Sequence, residues 1–173
     1  MKHALRILVS LVCIAVILAG DAEARRRSRD HAVYISVQEI RELERSGVII
    51  PAGKDAWMTR SGLVIAGRDP DGRTRLDHIM RHAMDNPRRP KHGVFSVTKA
   101  EVIGLMDEAW KKIRSGAVAG NERGGKIAYT VRMGRPVGYL GGRKGRERGN
   151  PKLDSVRLVI TKGTTAVITF FPM

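Results

Sequence analysis

Residues 98–133 read TKAEVIGLMDEAWKKIRSGAVAGNERGGKIAYTVRM, and inside this stretch the hydrophobic period changes once. Thr98 is followed three residues later by Glu101, a pairing in which each side chain bonds the other's backbone N–H at a helix start. At about 100° per residue, Val102, Ile103, Met106, Ala109, Trp110 and Ile113 gather in one stripe, which predicts a helix over 98–113 with a single core-facing side. Past a Gly-rich turn, Ile127, Tyr129, Val131 and Met133 alternate with Ala128, Thr130 and Arg132, the period of a strand buried on one face. An apolar stripe and an apolar face leave water most readily by packing on each other.

The flanks extend this pattern. Downstream, 136–140 reads as a short strand and 141–150 as a flexible loop bearing Arg143, Lys144, Arg146 and Arg148. Strands over 155–161 and 165–171 follow, joined by Lys162, Gly163 and Thr164 as a hairpin connection. Upstream, Val37, Ile40 and Leu43 have helical spacing within 36–46, with Gly47 as the stop. Short apolar runs at 48–51 and 63–66 predict strands, and Asp69-Pro70-Asp71-Gly72 predicts a turn. Residues 76–84 predict a short helix whose apolar side is Leu76, Ile79, Met80 and Ala83. His78 and His82 then fall together on the opposite, polar side, near Arg81. Residues 86–90 end that helix, and 91–95 lead into the next element. Helices first and a meander after predict an α+β fold, N-terminal helices packed on a twisted antiparallel sheet of about four to five strands.

The chain opens with Lys2 and Arg6, an apolar run over 7–19, and Ala22 and Ala24 at the two positions a signal peptidase reads. This plan predicts a secretory signal peptide over 1–24. The run is too short to span roughly 30 Å of hydrocarbon, so no integral membrane association is expected once it is removed. The one cysteine, Cys13, lies in that segment, which leaves no disulfide to the exported domain. Lys2 and Arg6 balance Asp21 and Glu23, so residues 25–173 keep the whole formal charge of +15. Such a charge favours polyanions: nucleic acid, anionic lipid or acidic polysaccharide. Residues 25–70 read as a basic arm (25–30) and an N-terminal cap segment, and 71–173 as the main domain.

Three groups of residues could carry chemistry. His78 and His82, at i and i+4, would suit acid–base work near neutrality, a shared metal, or simply a solvated face. The Glu of a zincin motif is missing and only His31 or His92 is left as a third ligand, so neither a metal nor another cofactor is expected. In the closing hairpin, a three-residue connection would set Arg157 directly across from Thr169, a guanidinium beside a hydroxyl suited to clamp phosphate. Arg88, Arg89 and Lys91 join the basic loop 141–150 as phosphate-backbone contacts. Tyr139 is available to stack on a base, whereas Tyr129 reads as core.

Taken in order, Leu76-Asp77-His78-Ile79-Met80-Arg81-His82, then Lys91, His92 and Phe95, the helix ending Glu108-Ala109-Trp110, Tyr129 to Arg135, Val137-Gly138, Arg157 to Ile160 and Val167 to Pro172 resemble a known family. It is the C-terminal toxin domains of bacterial polymorphic and contact-dependent inhibition systems, of the barnase/EndoU/colicin/RelE-like ribonuclease fold. The resemblance covers about the last hundred residues and rests on order rather than on any single motif. It implies an exported endoribonuclease toxin that cleaves RNA, tRNA included, without metal, leaving a 2′,3′-cyclic phosphate. It implies His82, or else His78, as base and acid, Arg157 and Lys91 for phosphorane charge, and Thr169 on the phosphate. An acidic immunity protein is the implied partner beside RNA, and a monomer is expected. A signal peptide departs from the family, whose members end very large delivery proteins, and residues 25–70 have no counterpart. A non-catalytic basic domain binding envelope or nucleic acid is the alternative.

Overall fold

In the computed structural model, which describes residues 33–173, polar side chains start the first three helices. Ser36 and Glu39 exchange bonds with each other's backbone N–H groups at the head of α1 (Val37–Arg45), and Gly47 follows it in the left-handed region. Thr74 caps α2 (Arg75–Met80), which tightens into a 3-10 turn over Arg81–Ala83. Thr98 and Glu101 form the expected box before α3 (Lys99–Arg114). The signal peptide and basic arm predicted over 1–30 lie outside the described residues.

The strands are β1 (Ile49–Gly53), β2 (Ala56–Thr59), β3 (Val64–Ala66), β4 (His92–Phe95), β5 (Gly120–Arg123), β6 (Lys126–Arg132), β7 (Gly138–Gly141), β8 (Lys152–Leu153), β9 (Ser155–Thr161) and β10 (Val167–Pro172). They form three antiparallel sheets, ordered β1-β2-β3, β10-β9-β6-β5 and β4-β7-β8. The fold is therefore α+β, with strands divided among three sheets where the hydrophobic pattern points to one. Pro172, closing β10, has no N–H to offer a further strand, and its carbonyl lies where a Cβ on Gly93 of β4 would come within 2.0 Å. The two sheets touch there without sharing a ladder.

Helix α3 lies on β6 and β9. Its Val102, Ile103, Met106 and Ala109 share one core with Val131, Val156, Leu158, Ile160 and Phe170, each fully buried aliphatic contributing roughly 1.5–3 kcal/mol. Ile35, Leu43, Ile49, Trp57, Leu63 and Ile65 belong to the same core, and Tyr34–Met173 forms one compact unit. Trp110 and Tyr129 are half-buried at its margin.

Besides β4 and the two-residue β8, three elements have no counterpart in the sequence pattern. β2 is four residues long, and β5, Gly-Asn-Glu-Arg, is exposed along its whole length and paired only to β6. The third corrects the loop expected over 141–150, which contains a helix, α4 (Gly142–Glu147). Glycine makes this helix possible. A Cβ on Gly145 would sit 2.1 Å from the Leu140 carbonyl, and Gly142 has a φ of 75°, where side chains are rarely tolerated.

Candidate active site

The stretch from α2 to β4 sets the histidines. His82 does not stand on the polar side with His78, as helical spacing predicts; it is buried. After Met80 the chain follows the 3-10 path, about 120° per residue instead of 100°, which swings His82 towards the interior. There its ring stacks on His92 (4.7 Å between centroids) and on Phe171 of β10 (5.2 Å), and its Nδ1 donates to the Gly93 carbonyl at 2.8 Å. Burial, reinforced by His92, Arg81 and His78 against the pull of that hydrogen bond, pushes its pKa down to about 3. His82 is thus neutral at physiological pH. His92 is also buried, donates from Nε2 to the carbonyls of Met84 (3.0 Å) and Arg81 (3.3 Å), and has its pKa lowered mainly by burial.

His78 sits differently. Its Nδ1 lies 2.8 Å from Asp69 Oδ2, a carboxylate that is itself buried. The other oxygen of Asp69 accepts the backbone N–H groups of Asp71 and Arg73, so the predicted 69–72 turn holds this carboxylate in place. Burial works to raise the Asp69 pKa, but His78 and those amides outweigh it and leave the group lowered and ionised. For His78, burial is the largest influence and lowers the pKa; the Asp69 bond opposes it, and Arg81 and Arg75 add to the fall. An ionised carboxylate on Nδ1–H fixes the tautomer that leaves Nε2 as a proton acceptor.

Arg81, between the two histidines in sequence, carries a signal that spacing did not give. It is half-buried, its Nε is shut from solvent without a partner, and it has no ion pair among the described residues.

The four-stranded sheet brings a second set to the same neighbourhood. Arg157 does not face Thr169: it pairs with Phe171 on one side and Thr130 on the other, while Thr169 faces Val159. The pairing of Val167 with Ile160 already needs a longer turn than three residues, and a bulge between Val167 and Thr169 adds a second one-residue shift. Two single shifts keep Thr169 on the side of Arg157, but diagonal to it, about 7 Å away and within an arginine's reach. Through Phe171, the row Thr130–Arg157–Phe171 runs into the His82–His92 stack. Arg157 forms no ion pair among the described residues.

The basic residues converge. Helix α4 docks on the loop before β4: Asp85 accepts the Gly142 N–H (2.8 Å), the Arg89 carbonyl accepts Arg143 N–H (2.9 Å), and the Pro90 carbonyl accepts Lys144 N–H (3.0 Å). Arg88, Arg89 and Lys91 are thereby set beside Arg143, Lys144, Arg146 and Arg148, all exposed, and none ion-pairs among the described residues. Lys91 joins this patch. Tyr139 is half-buried in β7 between Val94 and Lys152. Compared with protein-family models, curated proteins and solved structures, the chain has no match in any of the three.

Proposed function

We propose that this chain is an exported, metal-independent endoribonuclease toxin in which His78, not His82, moves the proton. The observation that carries the reading is the Asp69–His78 pair: a buried carboxylate orients an imidazole so that Nε2 is left as the proton acceptor, with Arg81 and Arg75 close enough to act on it. In the proposed reaction Nε2 takes the proton of a ribose 2′-hydroxyl, and the 2′ oxygen attacks the adjacent phosphorus. The P–O5′ bond breaks to leave a 2′,3′-cyclic phosphate, and His78 returns the proton to the departing 5′ oxygen. Asp69 stabilises the imidazolium between the two transfers. Arg157 and Thr169, on one face of the sheet, suit the phosphorane charge. The family resemblance supports RNA as substrate, tRNA included, the helices-on-sheet arrangement of that ribonuclease fold, and an acidic immunity protein as partner. The apolar leader supports export.

Incubation of the protein with tRNA in excess EDTA is expected to yield fragments ending in cyclic phosphate, with a 2′-deoxy strand left whole. Intact RNA after prolonged incubation rejects the proposal.

The exposed basic patch built by the docking of α4 favours a second reading, a basic nucleic-acid-binding domain without catalysis, in which RNA is bound and never cut. Binding is common to both. On single strands, log K is expected to fall with log salt by about 0.7 per phosphate contacted. Replacing Arg143 and Arg146 by Gln is expected to flatten that slope by one to two contacts' worth, roughly 0.7–1.4, and to weaken all sequences alike in a filter-binding titration.

A further inference from the structure

We infer that the cleft between Tyr34, Arg81, Arg88, Arg89 and His92 is a binding site for a phosphate oxyanion. The cleft has a volume of about 200 Å³ and opens to solvent on one side. Arg81 forms its inner wall. Arg75 and Arg81 each have an Nε shut from solvent without a partner, but the Arg75 guanidinium donates to the carbonyls of Ile168 and Arg68. No hydrogen bond or ion pair among the described residues holds the half-buried Arg81 guanidinium, an unfavourable arrangement for a charge drawn out of water. Arg89 and Arg73 come close enough to lower the Arg81 pKa further, after burial, while Asp69 and Tyr34 act in the opposite sense. Arg81, Arg88 and Arg89 meet at this cleft with a single carboxylate, Asp85, in its wall.

The acids nearby are otherwise engaged. Asp69 is spent on His78 and the turn amides, and Asp85, in the cleft wall, accepts the Gly142 N–H. Asn86 Oδ1 accepts the Arg88 N–H and so folds the rim that carries Arg88 and Arg89. Several cationic donors around one concavity suit a tetrahedral anion, whose oxygens point in separate directions, better than the flat fork of one carboxylate. A free phosphate and a backbone phosphate of a polynucleotide share this chemistry.

The test is thermal unfolding of the protein in inorganic phosphate against chloride of equal ionic strength. Phosphate is expected to raise the midpoint saturably. Arg81→Gln is expected to weaken phosphate binding by roughly tenfold or more, the worth of a charge-assisted hydrogen bond. Arg89→Gln, at an exposed position that endangers no packing, is expected to weaken it severalfold, and Arg114→Gln on α3 to leave it unchanged. A short 2′-deoxy oligonucleotide that competes with phosphate assigns the site to backbone phosphate. One that binds without competing assigns it to free phosphate, and the oxyanion site stands in both cases. No midpoint rise beyond chloride, or an unaltered rise in both cleft variants, overturns the inference. Because the readout needs no RNA cleavage, a phosphate response in a protein that leaves RNA whole would reject the ribonuclease proposal and keep the site.

Discussion

His78→Ala is expected to lower the rate of RNA cleavage by roughly 10²–10⁴-fold, the usual contribution of a positioned acid–base group. The loss is expected in kcat, with KM for RNA little changed, because the phosphate contacts lie on other residues. The variant removes one hydrogen bond to Asp69, whose carboxylate keeps its two backbone donors, so the 69–72 turn is expected to survive and the near-native unfolding midpoint to show it. The pH profile gives an independent readout. The imidazole acts when neutral, and its pKa is lowered from 6.5, so the acid limb of kcat/KM is expected below 6.5 and to vanish from whatever activity the variant retains. Cleavage that is indifferent to His78 would reject its assigned role.

The second large effect is on stability in mild acid. His82, His92 and His78 all have folded-state pKa values below that of an unfolded histidine, so each contributes stability that is present above about pH 6.5 and is lost as pH falls towards its folded value. For His82 that window runs from about 6.5 to about 3, at roughly 1.4 kcal/mol per pH unit, or about 3 kcal/mol by pH 4.5. Carboxylates lowered in the fold, such as Glu39, Asp69, Glu108 and Asp154, lose their contribution only below about pH 4.5, so the upper part of the window belongs to the histidines. Urea titrations at pH 7, 6 and 5 are expected to show the decline. His82→Phe, which keeps a ring between His92 and Phe171, is expected to flatten it. A flat stability profile from pH 7 to 5 in the wild-type protein would contradict the buried, neutral His82.

The parts of this fold that were legible are those where local chemistry and burial coincide. Thr98 with Glu101 and the stripe from Val102 to Ile113 specify α3, and the alternation around Val131 specifies β6. What was hidden depended on partners remote in sequence. β5 shows no alternation because neither face is buried, and α4 is built on glycines whose use is apparent only once Leu140 lies against Gly145. In the site, proximity in sequence misled. A change in helix pitch at Arg81 separated two histidines that a uniform helix would align, and a longer turn together with a one-residue bulge moved Thr169 off Arg157. Asp69 read as a turn residue, which it is, and its second oxygen is what orients His78. Arg81 gave no sign at all, because a charge without a partner is visible only when its surroundings are.

The docking of α4 on the loop before β4 has a consequence for the chain in salt. In the unfolded polypeptide Arg88 to Lys91 and Arg143 to Arg148 are some fifty residues apart along the sequence, and folding crowds their like charges onto one surface. Mutual repulsion there opposes folding and is screened within about 10 Å at 0.1 M ionic strength. Added salt should therefore steady the folded chain while loosening its hold on polyanions, and a polyanion should do for the fold what salt does, acting as a counter-charge that completes it.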